Sequence, residues 1–151
     1  DVECLPGATA LIPALVISGL PADRFTFEGF LPVKKGRQTK LQEIAQSDRT
    51  VILYESPHRL LKTLTQLSEH ASLDTPVVAV RELTKLHEEA VRGSLAELIE
   101  HFTKQEPRGE FVLLIGRSST FETKTREPLA PPSLSSEDDP RKMKRSKKRN
   151  K

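Results

Sequence analysis

The chain has 151 residues, a formal net charge of +3 and 36% hydrophobic residues, which suffices for one domain with one core. Its longest apolar run, residues 11–17, contains Pro13 and is far too short to span a bilayer, so we expect no membrane segment. The single cysteine, Cys4, excludes an internal disulfide and a multi-cysteine metal site, and it suits the reducing cytoplasm.

Two helices and a strand are predicted in the first third of the chain. Apolar residues recur with helical spacing over Ala8–Ser18, and Gly19 stops that helix. Aromatic and polar residues alternate over Phe25–Leu31, as in a strand with one buried face. A polar loop then leads into a short predicted helix over Gln38–Ala45.

The middle of the chain contains the most apolar strand and the clearest helix. The continuous aliphatic run Thr50–Tyr54 is typical of a strand covered on both faces, and we expect it at the centre of the sheet. Ser56 and Pro57 can begin the next helix, which we expect to run to about His70 because leucines recur along one side of it.

Further strands and one helix complete the predicted domain. The strands are expected over Pro76–Val80, Glu88–Arg92 and Phe111–Gly116. Ser94 introduces a helix over Leu95–Phe102. Strands that alternate with helices are typical of a layered α/β domain, with a largely buried sheet and flanking helices.

The basic character of the chain belongs to its last residues. From Ser135 onward there are eight Lys or Arg residues and three acids, and removing them from the totals of 24 and 21 leaves 16 basic and 18 acidic residues. Apolar periodicity stops after Arg117. We therefore expect residues 118–151 to form a disordered basic tail, which either binds RNA phosphates or only increases solubility.

Several long strings of residues are more specific than this pattern. They are LPGATALIPALVISGLP at 5–21, FEGFLPVKKGR at 27–37, YESPHRL at 54–60, RELTKLHEEAVRG at 81–93 and GEFVLLI at 109–115. In this order, they closely resemble the bacterial 16S ribosomal RNA cytidine 2′-O-methyltransferases, relatives of the tetrapyrrole methylases. The resemblance runs from about Leu5 to Arg117.

The resemblance implies a class III methyltransferase with two α/β domains and S-adenosylmethionine between them. This chain resembles the C-terminal half, with residues 1–5 as an interdomain linker and 6–117 as the domain itself. The family's N-terminal domain, with its cofactor loop, has no counterpart in the sequence. We therefore expect a C-terminal fragment that does not catalyse alone.

The resemblance also implies the substrate and the partners. The substrate is a cytidine ribose in 16S ribosomal RNA of the small ribosomal subunit, and the other partners are the N-terminal domain and a second copy in a homodimer. Two alternatives stay open at this point. One is a methylase of a tetrapyrrole substrate, and the other is a non-enzymatic RNA-binding module.

Candidate cofactor residues lie in these strings beside predicted helix starts and strand ends. A glycine turn before a helix lets backbone amides approach a ligand, and α/β sheets place ligands where strands end. The simpler explanations are a helix-entry turn and a capped helix start. The predicted set is Pro6, Gly7, Ala8, Thr9, Tyr54, Glu55, Ser56, Arg81, Glu82, Leu83 and Thr84.

Methyl transfer requires an aligned ribose oxygen and a group that accepts or shares its proton, but no metal. Glu55 and Lys85 are the candidate catalytic residues, with Glu82 as a further candidate base. The absent half can equally supply this group.

The candidate RNA-binding residues are Lys34, Lys35 and Arg37, in a dense basic cluster, and Arg59. A solvated loop and helix face is the alternative explanation for the cluster.

Overall fold

The computed structural model describes residues 1–117. The predicted tail, 118–151, lies outside the described residues. The described elements are α1 (Leu11–Ser18), β1 (Phe25–Phe30), α2 (Arg37–Ala45), β2 (Thr50–Glu55), α3 (Pro57–Leu67), β3 (Pro76–Arg81), β4 (Glu89–Ser94), α4 (Leu95–Lys104) and β5 (Phe111–Ile115).

The five strands form one sheet in the order β1-β2-β5-β3-β4, so the predicted layered α/β fold is confirmed. Strands β1 and β2 are parallel, whereas β5 is antiparallel to both of its neighbours, β2 and β3. The prediction that β2 is central is wrong, because the last strand inserts between β2 and β3. As a result, the C-terminal ends of β2 and β3 lie beside the N-terminal end of β5, at one end of the strands.

The two faces of the sheet are covered differently. Helices α2, α3 and α4 cover one face, which we call the closed face, over a core that includes Leu53, Leu64 and Leu113. The opposite face, which we call the open face, carries α1, whose Ala14 and Leu15 pack on a smaller core. Because α1 packs mainly on β3, β4 and β5, the aromatic side chains of β1 stay partly exposed.

Helix α1 begins at Leu11, three residues later than predicted. A helix that began at Ala8 would place Pro13 in its interior, where proline clashes with the preceding turn. With Leu11 as the first residue, Pro13 lies in the first turn, whose backbone N–H groups have no partner within a helix. The predicted helix start at Ser94 is confirmed, since its hydroxyl accepts a hydrogen bond from the Glu97 backbone in a capping box.

A β-bulge interrupts the pairing of β1 with β2. Phe27 pairs with Ile52 and Gly29 with Leu53, so Glu28 is an extra residue. Gly29 has a φ of +63°, a conformation that favours glycine. The extra residue reverses the side-chain alternation, so that Phe27 and Phe30 lie on the same face instead of on opposite faces.

Candidate functional site

A cleft of about 480 Å³ opens at the edge where β2 and β3 end and β5 begins. Phe111 of β5 pairs with Glu55 on one side and with Arg81 on the other, so the two strand ends that carry predicted cofactor residues are separated only by β5. The cleft is lined by Ala10, Phe30, Tyr54, Glu55, Ser56, Pro57, Val80, Leu83, Lys85, Glu110, Phe111 and Val112.

Tyr54 and Glu55 are neighbours in sequence, but their side chains have different environments. The Tyr54 ring packs with the open-face core and lines the cleft. The Glu55 side chain is fully buried on the other side, where its carboxylate accepts hydrogen bonds from Arg59 Nε at 2.8 Å and Thr63 Oγ1 at 2.7 Å. It also accepts one from the Ser56 backbone N–H, at 2.9 Å. This arrangement argues against Glu55 as the general base, because both of its carboxylate oxygens already accept hydrogen bonds within the fold.

Arg81 shows the same effect of alternation on β3. Val80 packs in the open-face core and lines the cleft, whereas the Arg81 guanidinium donates to Glu89 at 3.1 Å. Arg81 lies in a separate open cavity of about 430 Å³ with Lys104 and Arg108. Its side chain is therefore not placed for the predicted cofactor contact, although the loop that follows it does reach the cleft.

The loop between β3 and β4 is held in an unusual backbone conformation. Glu82 and Thr84 both have positive φ, of 46° and 64°, which is rare for residues with a side chain. The Glu82 carboxylate accepts a hydrogen bond from the Glu110 backbone N–H at 2.8 Å, and Glu88 accepts one from the Thr84 backbone N–H at 2.6 Å. These bonds fix the loop so that Leu83 and Lys85 line the cleft.

Lys85 is paired with two carboxylates at the mouth of the cleft. Its Nζ lies 3.0 Å from Glu110 Oε2 and 3.2 Å from Glu82 Oε1. Hydrogen bonds to Glu110 and to Glu82 raise the pKa of Lys85 above its ordinary value. The amine is therefore protonated at neutral pH, so it can bind an anionic or oxygen-bearing group but cannot accept a proton there.

The first predicted cofactor segment lies beside the cleft without closing it. Pro6, Gly7, Ala8 and Thr9 are all exposed, and among the residues before α1 only Ala10 lines the cleft. The Thr9 hydroxyl accepts a hydrogen bond from the Leu11 backbone N–H, at 3.3 Å. The segment thus leads into α1 at the cleft and leaves its backbone amides accessible.

The structure divides the predicted RNA-binding residues into two groups. Lys34 and Lys35 are exposed on the loop after β1. Arg37 is buried and donates to Gln66, Thr63 and the Pro32 carbonyl, and burial lowers the pKa of its guanidinium.

Arg59 is also engaged within the fold. Its side chain is only 28% exposed, and it donates to Glu55. The predictions of RNA contact by Arg37 and Arg59 are corrected accordingly, because both side chains bind groups of the closed face.

Sequence reasoning missed several residues that line the cleft. Phe30 was overlooked because regular alternation places it opposite Phe27, and only the bulge brings it to the open face. Glu110 and Val112 were overlooked because the position of β5 in the sheet is not visible in the sequence. Their signal was present in the strings FEGFLP and GEFVLLI, which include all three residues.

No helix within residues 1–117 is long and apolar enough to cross a membrane. Within the same residues, no group of three or more His, Cys, Asp or Glu side chains is arranged to hold a metal ion.

A family model described as tetrapyrrole (corrin/porphyrin) methylases matches residues 1–99. A ribosomal RNA small subunit methyltransferase I from Synechocystis is 53% identical over 116 residues, which are 76% of this chain and 42% of that protein. The protein of the same name from Thermotoga maritima is 42% identical over 115 residues, 76% of this chain and 51% of its own length. The chain thus spans about half the length of these relatives.

Solved structures agree in fold. A cobalt precorrin-4 methyltransferase superposes with a TM-score of 0.61 at 23% identity, covering 80% of this chain and 54% of that one. A uroporphyrin-III C-methyltransferase from Thermus thermophilus, complexed with S-adenosyl homocysteine, gives a TM-score of 0.54 at 22% identity, with 78% and 53% covered.

Proposed function

We propose that this chain, which belongs to the tetrapyrrole (corrin/porphyrin) methylase family, acts as the C-terminal half of an enzyme that methylates a ribose 2′-hydroxyl of 16S ribosomal RNA. The observation that carries the proposal is the identity of about one half to the ribosomal RNA small subunit methyltransferases over most of the described domain. The cofactor is S-adenosylmethionine, and the enzyme works in the bacterial cytoplasm as a homodimer, with the N-terminal domain completing its site.

The cleft at the strand ends fits part of such a cofactor. Its volume of about 480 Å³ lies within the usual range for small-molecule sites. Val80, Leu83 and Val112 give it an apolar wall suited to the flat adenine ring of the cofactor. Ser56 at the start of α3 adds a hydroxyl, and Ala10 at the start of α1 closes one side.

Specific residues of the predicted cofactor set take distinct roles in this proposal. Leu83 supplies apolar contact, and Glu82 and Thr84 fix the loop that carries Leu83. Gly7, Ala8 and Thr9 offer backbone N–H groups at the entry to α1, and Pro6 offers a backbone carbonyl. Arg81 supports the loop from outside the cleft through its ion pair with Glu89.

S-adenosylmethionine, when bound, supplies an activated methyl group on a positively charged sulfur. The residues of this chain then serve mainly to align and to shield the reacting groups. The Lys85 ammonium can donate a hydrogen bond to an oxygen or a phosphate of the substrate, and Glu110 is the nearby carboxylate that shares it. Because Glu55 is bonded within the fold and Lys85 is protonated, neither of these two residues is assigned as the proton acceptor.

A chimera tests the proposal directly. Residues 1–117 of this chain replace the matching segment of the Synechocystis relative, and methyl transfer from labelled S-adenosylmethionine to small ribosomal subunits is measured. We expect label in 16S ribosomal RNA, at a linkage that resists alkaline cleavage because a methylated 2′-oxygen cannot attack the adjacent phosphate. A Leu83→Asp chimera, which places a charge on the apolar wall, should lose most of this activity.

Three results would contradict the proposal. The first is a folded chimera that transfers no methyl group to the subunit. The second is a labelled linkage that alkali cleaves, and the third is methylation of a tetrapyrrole in preference to RNA. Circular dichroism shows whether each chimera is folded, so that a misfolded protein is not counted as an inactive one. Binding of RNA without binding of S-adenosylmethionine would favour the non-enzymatic alternative.

A further inference from the structure

Three aromatic side chains form a continuous exposed surface next to the cleft. The rings of Phe27 and Phe30 pack edge to face on Tyr54, with centroid distances of 4.9 and 5.7 Å. Phe30 is 64% exposed and Phe27 is 44% exposed. Phe30 and Tyr54 also line the cleft, so this surface, which we call the aromatic surface, leads directly into it.

The backbone of β1 is built to expose these rings on one side. The bulge at Glu28 and the positive φ of Gly29 place Phe30 beside Phe27, while Glu28 forms an ion pair with Lys40 of α2, at 3.2 Å. A regular strand would direct Phe30 toward the closed face, where it would have an apolar environment. The exposure of a large aromatic ring beside a cleft is therefore a consequence of a specific backbone irregularity.

The chain that follows the aromatic surface is basic. Lys34 and Lys35 are exposed on the loop four and five residues after Phe30, and neither forms an ion pair in the described part of the chain. Exposed aromatic rings combined with free lysines are the combination that binds single-stranded nucleic acid, with bases on the rings and phosphates near the lysines.

We propose that Phe27, Phe30 and Tyr54 stack a base of single-stranded substrate RNA and thereby deliver the neighbouring ribose to the cleft. This inference rests on the proposed function and identifies the surface of the chain that binds the RNA substrate. Lys34 and Lys35 hold the phosphates of the same strand. The enzyme would then select RNA whose bases are unpaired, since a paired base has no free face for the rings.

The position of the surface favours an RNA base over the adenine of the cofactor. β1 is an edge strand of the sheet, whereas Val80, Leu83 and Val112, which suit the cofactor, lie on the strands and the loop on the other side of Tyr54. Lys34 and Lys35 are exposed on the loop that directly follows β1, and their positive charge matches a phosphodiester backbone. A surface that binds a partner protein would not require the lysines. Such a surface would also not distinguish an RNA strand with bases from one without them.

Tyr54 gives a direct optical test, because the chain has one tyrosine and no tryptophan. Its fluorescence reports on the aromatic surface and on the part of the cleft that Tyr54 lines, and a stacked base quenches it. A short cytidine-containing RNA is compared with a strand of equal length in which the bases are removed and the phosphates remain. We expect quenching by the first strand and little or none by the second, after correction for absorption by the RNA.

Leucine variants separate ring stacking from general apolar contact. Phe30→Leu should weaken binding of the cytidine strand at least about fivefold, because loss of one aromatic platform removes base stacking. It should leave binding of the strand without bases unchanged. Phe25→Leu is the matched control, since Phe25 lies on the same strand with 37% exposure and does not line the cleft, and it should bind both strands as the unaltered chain does.

Equal affinity of Phe30→Leu and the unaltered chain for the cytidine strand would overturn the inference. So would equal losses for both strands, or quenching of Tyr54 by S-adenosylmethionine that the RNA relieves by competition. These results are independent of the methylation assay. A chimera can transfer methyl groups although Phe30 stacks no base, and the chain can stack RNA although the chimera transfers none.

Discussion

The two faces of the sheet are made by the same five strands, yet they use charge and aromatic side chains in opposite ways. The closed face, under α2, α3 and α4, buries the Glu55 carboxylate, to which Arg59 and Thr63 donate, and Arg37 in turn donates to the Thr63 hydroxyl. The open face keeps its rings and its ion pairs accessible: Phe30 is 64% exposed, and Lys85 is 49% exposed in its side chain.

This difference shows how a domain of this size divides its residues between stability and binding. A buried charged group is inaccessible to ligands, and the stability of the fold depends on the groups that pair with it. An exposed charged group can bind ligands and contributes little to the free energy of folding. Adjacent residues such as Tyr54 and Glu55 follow opposite rules because a strand directs them to opposite faces. Substitutions that compare matched groups on the two faces therefore test the division.

The largest effect is expected for Glu55→Gln. Glu55 and Arg59 form an i,i+4 ion pair with a fully buried carboxylate, so the substitution removes the charge that compensates Arg59 and weakens the bond to Thr63. Loss of one partner of a buried pair costs about 3–5 kcal/mol of the free energy of unfolding. Urea denaturation followed by circular dichroism measures this loss.

Glu100→Gln is the matched control on the surface. Glu100 and Lys104 form an i,i+4 pair as well, but their side chains are 66% and 73% exposed. We expect no measurable change in the urea midpoint, since exposed pairs are strongly screened by solvent. A tolerated Glu55→Gln variant with a normal midpoint would mean that the closed face does not depend on its charge network.

A smaller but more local effect is expected for Gly109→Ala. Gly109 has a φ of +86°, and an added Cβ would lie 2.7 Å from both Cγ and Oε1 of Glu82. Gly36, with a φ of +81° and no atom within 4 Å of such a Cβ, is the matched control for the backbone alone. We expect a loss of about 1–2 kcal/mol for Gly36→Ala from the left-handed conformation, and about 1–3 kcal/mol more for Gly109→Ala from crowding.

The crowding also tests how the cleft loop is positioned. Displacement of the Glu82 carboxylate removes the bond to the Glu110 backbone N–H and changes the environment of Lys85. Amide chemical shifts of the loop over residues 82–88 should therefore change in Gly109→Ala and stay constant in Gly36→Ala. Equal stability losses in both variants would show that Glu82 moves aside at no cost.

The comparison of the two faces also explains how far the sequence could predict the molecule. Local periodicity located each element within about three residues, because amphipathic spacing depends on neighbouring positions alone. The spacing also indicated the strand ends at Tyr54 and Arg81. It could not reveal that β5 enters between β2 and β3, which brings Glu110 and Phe111 into the cleft.

The wrong assignments have a common physical cause. Residue type identified Glu55, Arg37 and Arg59 as charged groups near the site, but the face of the sheet decides whether a charge is accessible or bonded within the fold. Alternation after Tyr54 would have indicated the closed face for Glu55. Phe30 could not be placed in this way, because a bulge at Glu28 reverses the alternation and a lone glycine signals it only weakly.

The smallest effect is expected from the pH dependence of the ion pair between Glu82 and Lys85 at the mouth of the cleft. The hydrogen bond from the Glu110 backbone N–H and the bond to Lys85 lower the pKa of Glu82 below its ordinary value of 4.5. A lowered pKa in the folded state means that its contribution is present above pH 4.5 and is lost as the pH falls through the folded pKa. The pKa of Lys85 is raised above 10.5, so its contribution is present below that pH and is lost as the pH rises further.

The pair therefore stabilises the loop fully between about these two ordinary pKa values, 4.5 and 10.5. The difference in stability between the unaltered chain and Glu82→Gln should be largest at neutral pH and should shrink toward pH 3. At pH 3, the difference between the unaltered chain and Lys85→Met should persist only through the hydrogen bond from Lys85 to Glu110. Urea titrations at a series of pH values measure both differences. The Lys85 side chain is 49% exposed and that of Glu82 is 21% exposed, so solvent still screens the pair. A difference as large as that for Glu55→Gln would therefore contradict the division of roles between the faces, and a difference that grows on acidification would show that Glu82 is held in its protonated form.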